Sequence, residues 1–166
     1  MELPRSLRAA AVVAITLTIA ACGGGQTSSP STASPSAASP SAGAGGEPIA
    51  VSLQEWAVVP AADSAPAGDV TFQVTNTGPD DVHEFVIVRT DLDPGVLPTA
   101  DDGSVDESGE GMAVVDEIED IPVGETMDLT VTLDPGAYVL LCNIYDEAEQ
   151  EAHYQLGMRT SFTVAS

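Results

Sequence analysis

Four side chains in this sequence form a plausible metal-binding set: His83, Cys142, His153 and Met158. The chain holds only two histidines and two cysteines, and Cys142, His153 and Met158 fall within 17 residues of each other. Thiolate and thioether suit Cu(I), and imidazole suits both oxidation states of copper. Two imidazoles and a thiolate, with a weak axial thioether, are the donors of a blue-copper electron-transfer site. Zinc would also accept a cysteine and two histidines, but a stable zinc site wants a fourth strong ligand, and Cu(II) stands above zinc in intrinsic affinity. Taken singly, each residue has a plainer reading. His83 would be a loop histidine, Cys142 a small core residue, and Met158 ordinary packing. Their joint occurrence in this order points to one bound copper ion.

Such a site needs a rigid scaffold, and the sequence from Glu47 to Ser166 reads as one all-β domain. Ile49, Val51 and Leu53 alternate with polar or small residues, as do Val70, Phe72 and Val74. Met127, Leu129, Val131 and Leu133 repeat the pattern, as do Phe162 and Val164. A period of two means strands with one buried face. Phe85–Val88 and Ala137–Leu141 are apolar throughout, as in more deeply buried strands. Pro66-Ala67-Gly68, Asn76-Thr77-Gly78-Pro79, Pro122-Val123-Gly124 and Asp134-Pro135-Gly136 supply turns between them. About seven short strands of this kind fit a two-sheet Greek-key β-sandwich. Cys142 then ends one strand and Met158 precedes the last, so the loop between them carries three donors to one end of the sandwich. His83 opens another strand and can reach the same end. Tyr145 to Ala152 is rich in helix formers and is expected to make a turn or two of helix. Trp56 and Met127 read as core. The acidic stretch from Asp91 to Asp120 misses the EF-hand calcium spacing and reads as a solvated, mobile loop.

The segment Asp134-Pro135-Gly136-Ala137-Tyr138-Val139-Leu140-Leu141-Cys142-Asn143, followed by His153-Tyr154-Gln155-Leu156-Gly157-Met158, resembles the ligand loop of plastocyanin/azurin-like cupredoxins. Val70 to Gly78, followed by His83-Glu84-Phe85, resembles their first-histidine region. The resemblance implies a cupredoxin-like sandwich with His83 and His153 as imidazole ligands, Cys142 as the thiolate and Met158 as the axial ligand. It also implies that the second histidine, His153, presents its edge to the surface as the electron's route. Two features depart from the family pattern. Ten residues separate Cys142 from His153, where most members have a few, and Glu84 replaces an asparagine that in many members braces the thiolate loop.

The first 22 residues read as a lipoprotein signal peptide. Arg5 and Arg8 precede the apolar run Ala9–Ala21, which ends in the lipobox-like Ile19-Ala20-Ala21-Cys22. Lipidation of Cys22 would leave Cys142 without a disulfide partner and tie the protein to a bacterial membrane on its extracytoplasmic side. Residues 23–46 are Gly, Ser, Pro, Ala, Thr and one Gln, a composition that cannot bury a core and reads as a disordered tether. The formal net charge is −22, with four basic residues, all arginine. That charge repels phosphates and excludes nucleic acid, and it favours a basic redox protein as partner to a monomer. No enzyme signature is present: both histidines are committed to the copper set, and none remains for a catalytic triad or further copper centres. A membrane-anchored single-electron carrier is therefore the expected function. A module that buffers or delivers copper, and a metal-free interaction sandwich, are the alternatives.

Overall fold

In the computed structural model, residues 46–166 are described; the expected signal peptide, Cys22 and tether residues 23–45 lie outside them. The alternating segments become β1 (Ile49–Gln54), β2 (Ala57–Pro60), β3 (Ser64–Pro66), β4 (Gly68–Asn76) and β5 (His83–Arg89). They continue as β6 (Ala113–Ile121), β7 (Thr126–Leu133), β8 (Gly136–Leu141), β9 (Tyr145–Asp146) and β10 (Glu151–Ala152). A single helical turn, α1 (His153–Leu156), precedes β11 (Arg159–Ala165). No helix among the described residues is long and apolar enough to cross a membrane.

Two sheets face each other, as the sequence predicts. One runs β2-β1-β4-β7, the other β3-β11-β8-β5-β6, and β9 and β10 form a separate small hairpin. β1 lies parallel to β4, and β4 antiparallel to β7. β8 sits between β11 and β5, antiparallel to both. Phe85, Ile87, Tyr138 and Leu140 face the inter-sheet core, while Val86, Val88, Val139 and Leu141 pack on the other face under Leu97, Val105 and Tyr154, so both runs are apolar without alternation. Phe72 of β4 meets Phe85 of β5 and Phe162 of β11, each at 5.5 Å between ring centroids, and these rings join the sheets. Burying such a ring contributes about 1.5–3 kcal/mol, so three together anchor the scaffold.

Several expectations change. The stretch from Asp91 to Asp120 is not a mobile loop. It ends in β6, an edge strand paired to β5. Its earlier part seats Leu97 and Val105 in a second apolar cluster with Val86, Val88, Val139, Leu141 and Tyr154. Acidic residues on an edge strand point to water and hide its strand character from a composition count. Tyr145–Ala152 is a hairpin and not a helix. Asp146 accepts the N–H groups of Ala148 and Glu149, which makes an Asx turn, and Gln150 adopts a positive φ of 58°. The helical turn comes one step later, at His153. Met127 lies in β7 but is 42% exposed and does not join the core.

Candidate metal centre

The end of β8 carries the thiol, the start of β5 carries the first imidazole, and α1 carries the second. His83, Cys142 and His153 are 0%, 0% and 2% exposed, and their donor atoms gather within 4.8 Å. Cys142 Sγ lies 3.4 Å from His153 Nδ1 and 4.0 Å from His83 Nδ1, and the two Nδ1 atoms are 3.3 Å apart. Bonds of about 2.0 Å to imidazole and about 2.3 Å to thiolate, splayed by 120°, require donors about 3.5–3.7 Å apart. The triangle matches a trigonal metal centre without large rearrangement.

Met158 is fully buried in the same core cluster as Cys142. Its backbone is laced to the other donors: Cys142 N–H donates to Met158 O at 3.0 Å, and Met158 N–H donates to His153 O at 3.1 Å. His153 N–H donates to Ile144 O at 2.9 Å, which closes the long loop back on the thiol strand. The ten-residue interval between Cys142 and His153 is thus absorbed by the β9–β10 hairpin, whose tip from Glu147 to Gln150 is exposed.

Electrostatics keep the triad neutral. Burial pushes the Cys142 thiol up to about 12, partly opposed by the N–H of Glu84, which donates to Sγ at 3.3 Å. Burial first, then its neighbour His153, holds His83 below its ordinary value. Burial also lowers His153, against the pull of Asp81, Asp146, Glu55 and Glu151. Two neutral imidazoles and a desolvated thiol are what a soft, thiophilic cation would bind, with loss of the thiol proton.

Two further residues complete the surroundings. Asn143 accepts Val105 N–H at 2.6 Å and donates to Val105 O and Glu107, so it pins the acidic segment to the thiol loop. Trp56 is not simply core: its ring meets that of His153 edge-on at 4.8 Å and that of His83 at 6.3 Å. The indole packs beside the imidazole and leaves His153 2% exposed. Gly157 is required here, since a Cβ would approach Trp56 O at 3.0 Å and φ is 126°. Glu84 takes over the bracing task from the missing asparagine through its own N–H to Sγ, and its carboxylate accepts from the Asn143 backbone.

Among solved structures, the chain is similar to auracyanin from the photosynthetic bacterium Roseiflexus castenholzii, with 23% identity over 72% of this chain and 97% of that one, at a TM-score of 0.51. Auracyanin A, a "blue" copper protein from Chloroflexus aurantiacus, matches with 19% identity over 72% of this chain and 98% of that one, at 0.48. Rusticyanin from Thiobacillus ferrooxidans matches with 20% identity over 75% and 79%, at 0.45. No protein-family model and no curated protein matches the sequence. At these identities the shared property is the fold.

Proposed function

From its cupredoxin-like β-sandwich fold, we propose that this chain is a blue-copper electron carrier. His83, Cys142 and His153 would hold the metal, with Met158 as a weaker fourth ligand. The observation that carries this reading is the buried triangle of one thiol and two imidazole nitrogens, with sides of 3.3, 3.4 and 4.0 Å. Copper bound there supplies a one-electron couple, Cu(II)/Cu(I). The protein's part is to hold the donors still. β5 and β8 are neighbours in one sheet, paired from Arg89–Tyr138 to Val86–Leu141, and His83 and Cys142 lie just beyond the same end of that ladder. Little reorganisation then accompanies the change of charge.

The fully buried donors oppose rapid metal exchange and weigh against a copper-delivery role. Electrons would pass through the Trp56–His153 ring pair. Asp81, Asp146 and Glu151 lie close enough to act on His153, and a basic redox partner would be steered to them, with rates that fall as salt rises. A lipid on Cys22 and the tether that follows would keep this exchange at the outer side of a bacterial membrane. Cyclic voltammetry of the copper-loaded chain tests the reading. A reversible one-electron wave that persists over many cycles, and is lost in Cys142→Ser, supports it. Copper release on each reduction overturns it.

A further inference from the structure

One polar atom in the site has no partner. His83 Nε2 is fully buried and makes no hydrogen bond. An N–H left this way costs about 1–3 kcal/mol, so an acceptor is expected nearby. Among the described residues Glu55 brings a carboxylate oxygen to 3.8 Å from Nε2, and its side chain is only 10% exposed.

Glu55 is not there by chance of packing. Its Oε1 accepts Asp81 N–H at 2.9 Å and Asp80 N–H at 3.3 Å, which fixes the carboxylate to the segment that delivers His83. Gly78 makes room for it, since a Cβ at that position would overlap Oε1. A carboxylate has about four acceptor positions, so two backbone donors leave capacity for the imidazole. Closing from 3.8 Å to an ordinary N–H···O distance needs a shift of about 0.8 Å, within the reach of a glutamate side chain.

We propose that Glu55 is a positioning residue for the metal centre, whose carboxylate accepts the Nε2–H of His83 and so fixes the tautomer that aims the Nδ1 lone pair at Cys142 and His153. The proposal rests on the copper reading only for its effect on redox balance. A histidine whose far nitrogen donates to a carboxylate is held in orientation and is a more basic ligand. The nearby negative charge also favours the more highly charged state of the metal. Glu55 therefore shifts the balance toward Cu(II).

The test uses the full-length chain and three variants, Glu55→Gln, Glu55→Ala and Gly78→Ala. Glu55→Gln keeps an acceptor for the Asp80 and Asp81 N–H groups while removing the charge. In the metal-free protein, 15N shifts of the His83 ring should report one Nε2–H tautomer, and a mixture in Glu55→Ala. In the copper-loaded protein, Glu55→Gln should favour Cu(I) about tenfold more than the parent, a rise of about 59 mV. Gly78→Ala, which displaces the carboxylate, should move the potential in the same direction. A purely structural brace predicts no change of potential in Glu55→Gln. An unaltered tautomer in Glu55→Ala overturns the proposal whatever the metal does. A changed tautomer without a copper couple keeps the role of Glu55 and sinks the electron-carrier reading instead.

Discussion

Metal uptake should release one proton, and the pH dependence of affinity should identify its source. The Cys142 thiol stands at about 12 against an ordinary 9.0, which makes ionising it about 4 kcal/mol harder. Both histidines are held below 6.5 and are already neutral at pH 8. The thiolate fraction then rises tenfold per pH unit, and so does the apparent affinity for Cu(I). An exposed thiol would flatten this slope above pH 9, while the buried one keeps it at unity to pH 10 and beyond. Competition against a chromophoric Cu(I) chelator at pH 7, 8, 9 and 10, corrected for the chelator's protonation, gives the slope. A plateau near pH 9, or a pH-independent affinity, would refute the account of a desolvated thiol as the metal's donor.

Two further changes probe the surroundings. Glu84 is raised from 4.5 to about 7 by burial first and by Glu117 and Glu107 next, so the folded state loses stability as pH rises through that window. In the metal-free protein, Glu84→Gln should stabilise by about 1.5 kcal/mol at pH 8, the full shift halved for solvent screening, and by little below pH 4.5, as read by urea titration. Asn76 is fully buried and donates to Asp81 O and Ile121 O while accepting Gly78 N–H. Asn76→Ala should cost about 2–4 kcal/mol in thermal unfolding and weaken metal affinity, because the segment that presents His83 loses its tether; an unchanged stability would contradict this.

The core strands were legible because their side chains obey period two. Phe72 and Val74 of β4 and Phe162 and Val164 of β11 are buried as their alternation predicts. The convergence of His83 and Cys142 followed from the strand ends beside which they lie, and that of His153 from the loop joining Cys142 to the last strand. What could not be read were features set by tertiary pairing. β6 is polar along much of its length and is a strand because β5 supplies its partners. The Tyr145–Ala152 hairpin depends on Asp146 capping a turn, which outweighs helix propensity. Glu55 and Trp56 lie between two short strands far from the other site residues in sequence, and no local pattern links them to His83 or His153. Nor does any local pattern announce Tyr154, whose hydroxyl accepts Leu97 N–H at 3.1 Å and donates to Pro94 O at 2.7 Å.

The central claim is that Cys142 sulfur and two imidazoles bind copper together, and the visible spectrum tests it most directly. Addition of Cu(II) to the protein should produce an intense blue thiolate-to-copper band at one copper per chain. Cys142→Ser should abolish the band while the sandwich stays folded. A colourless protein that binds no copper tightly, or a band that survives Cys142→Ser, would contradict the account.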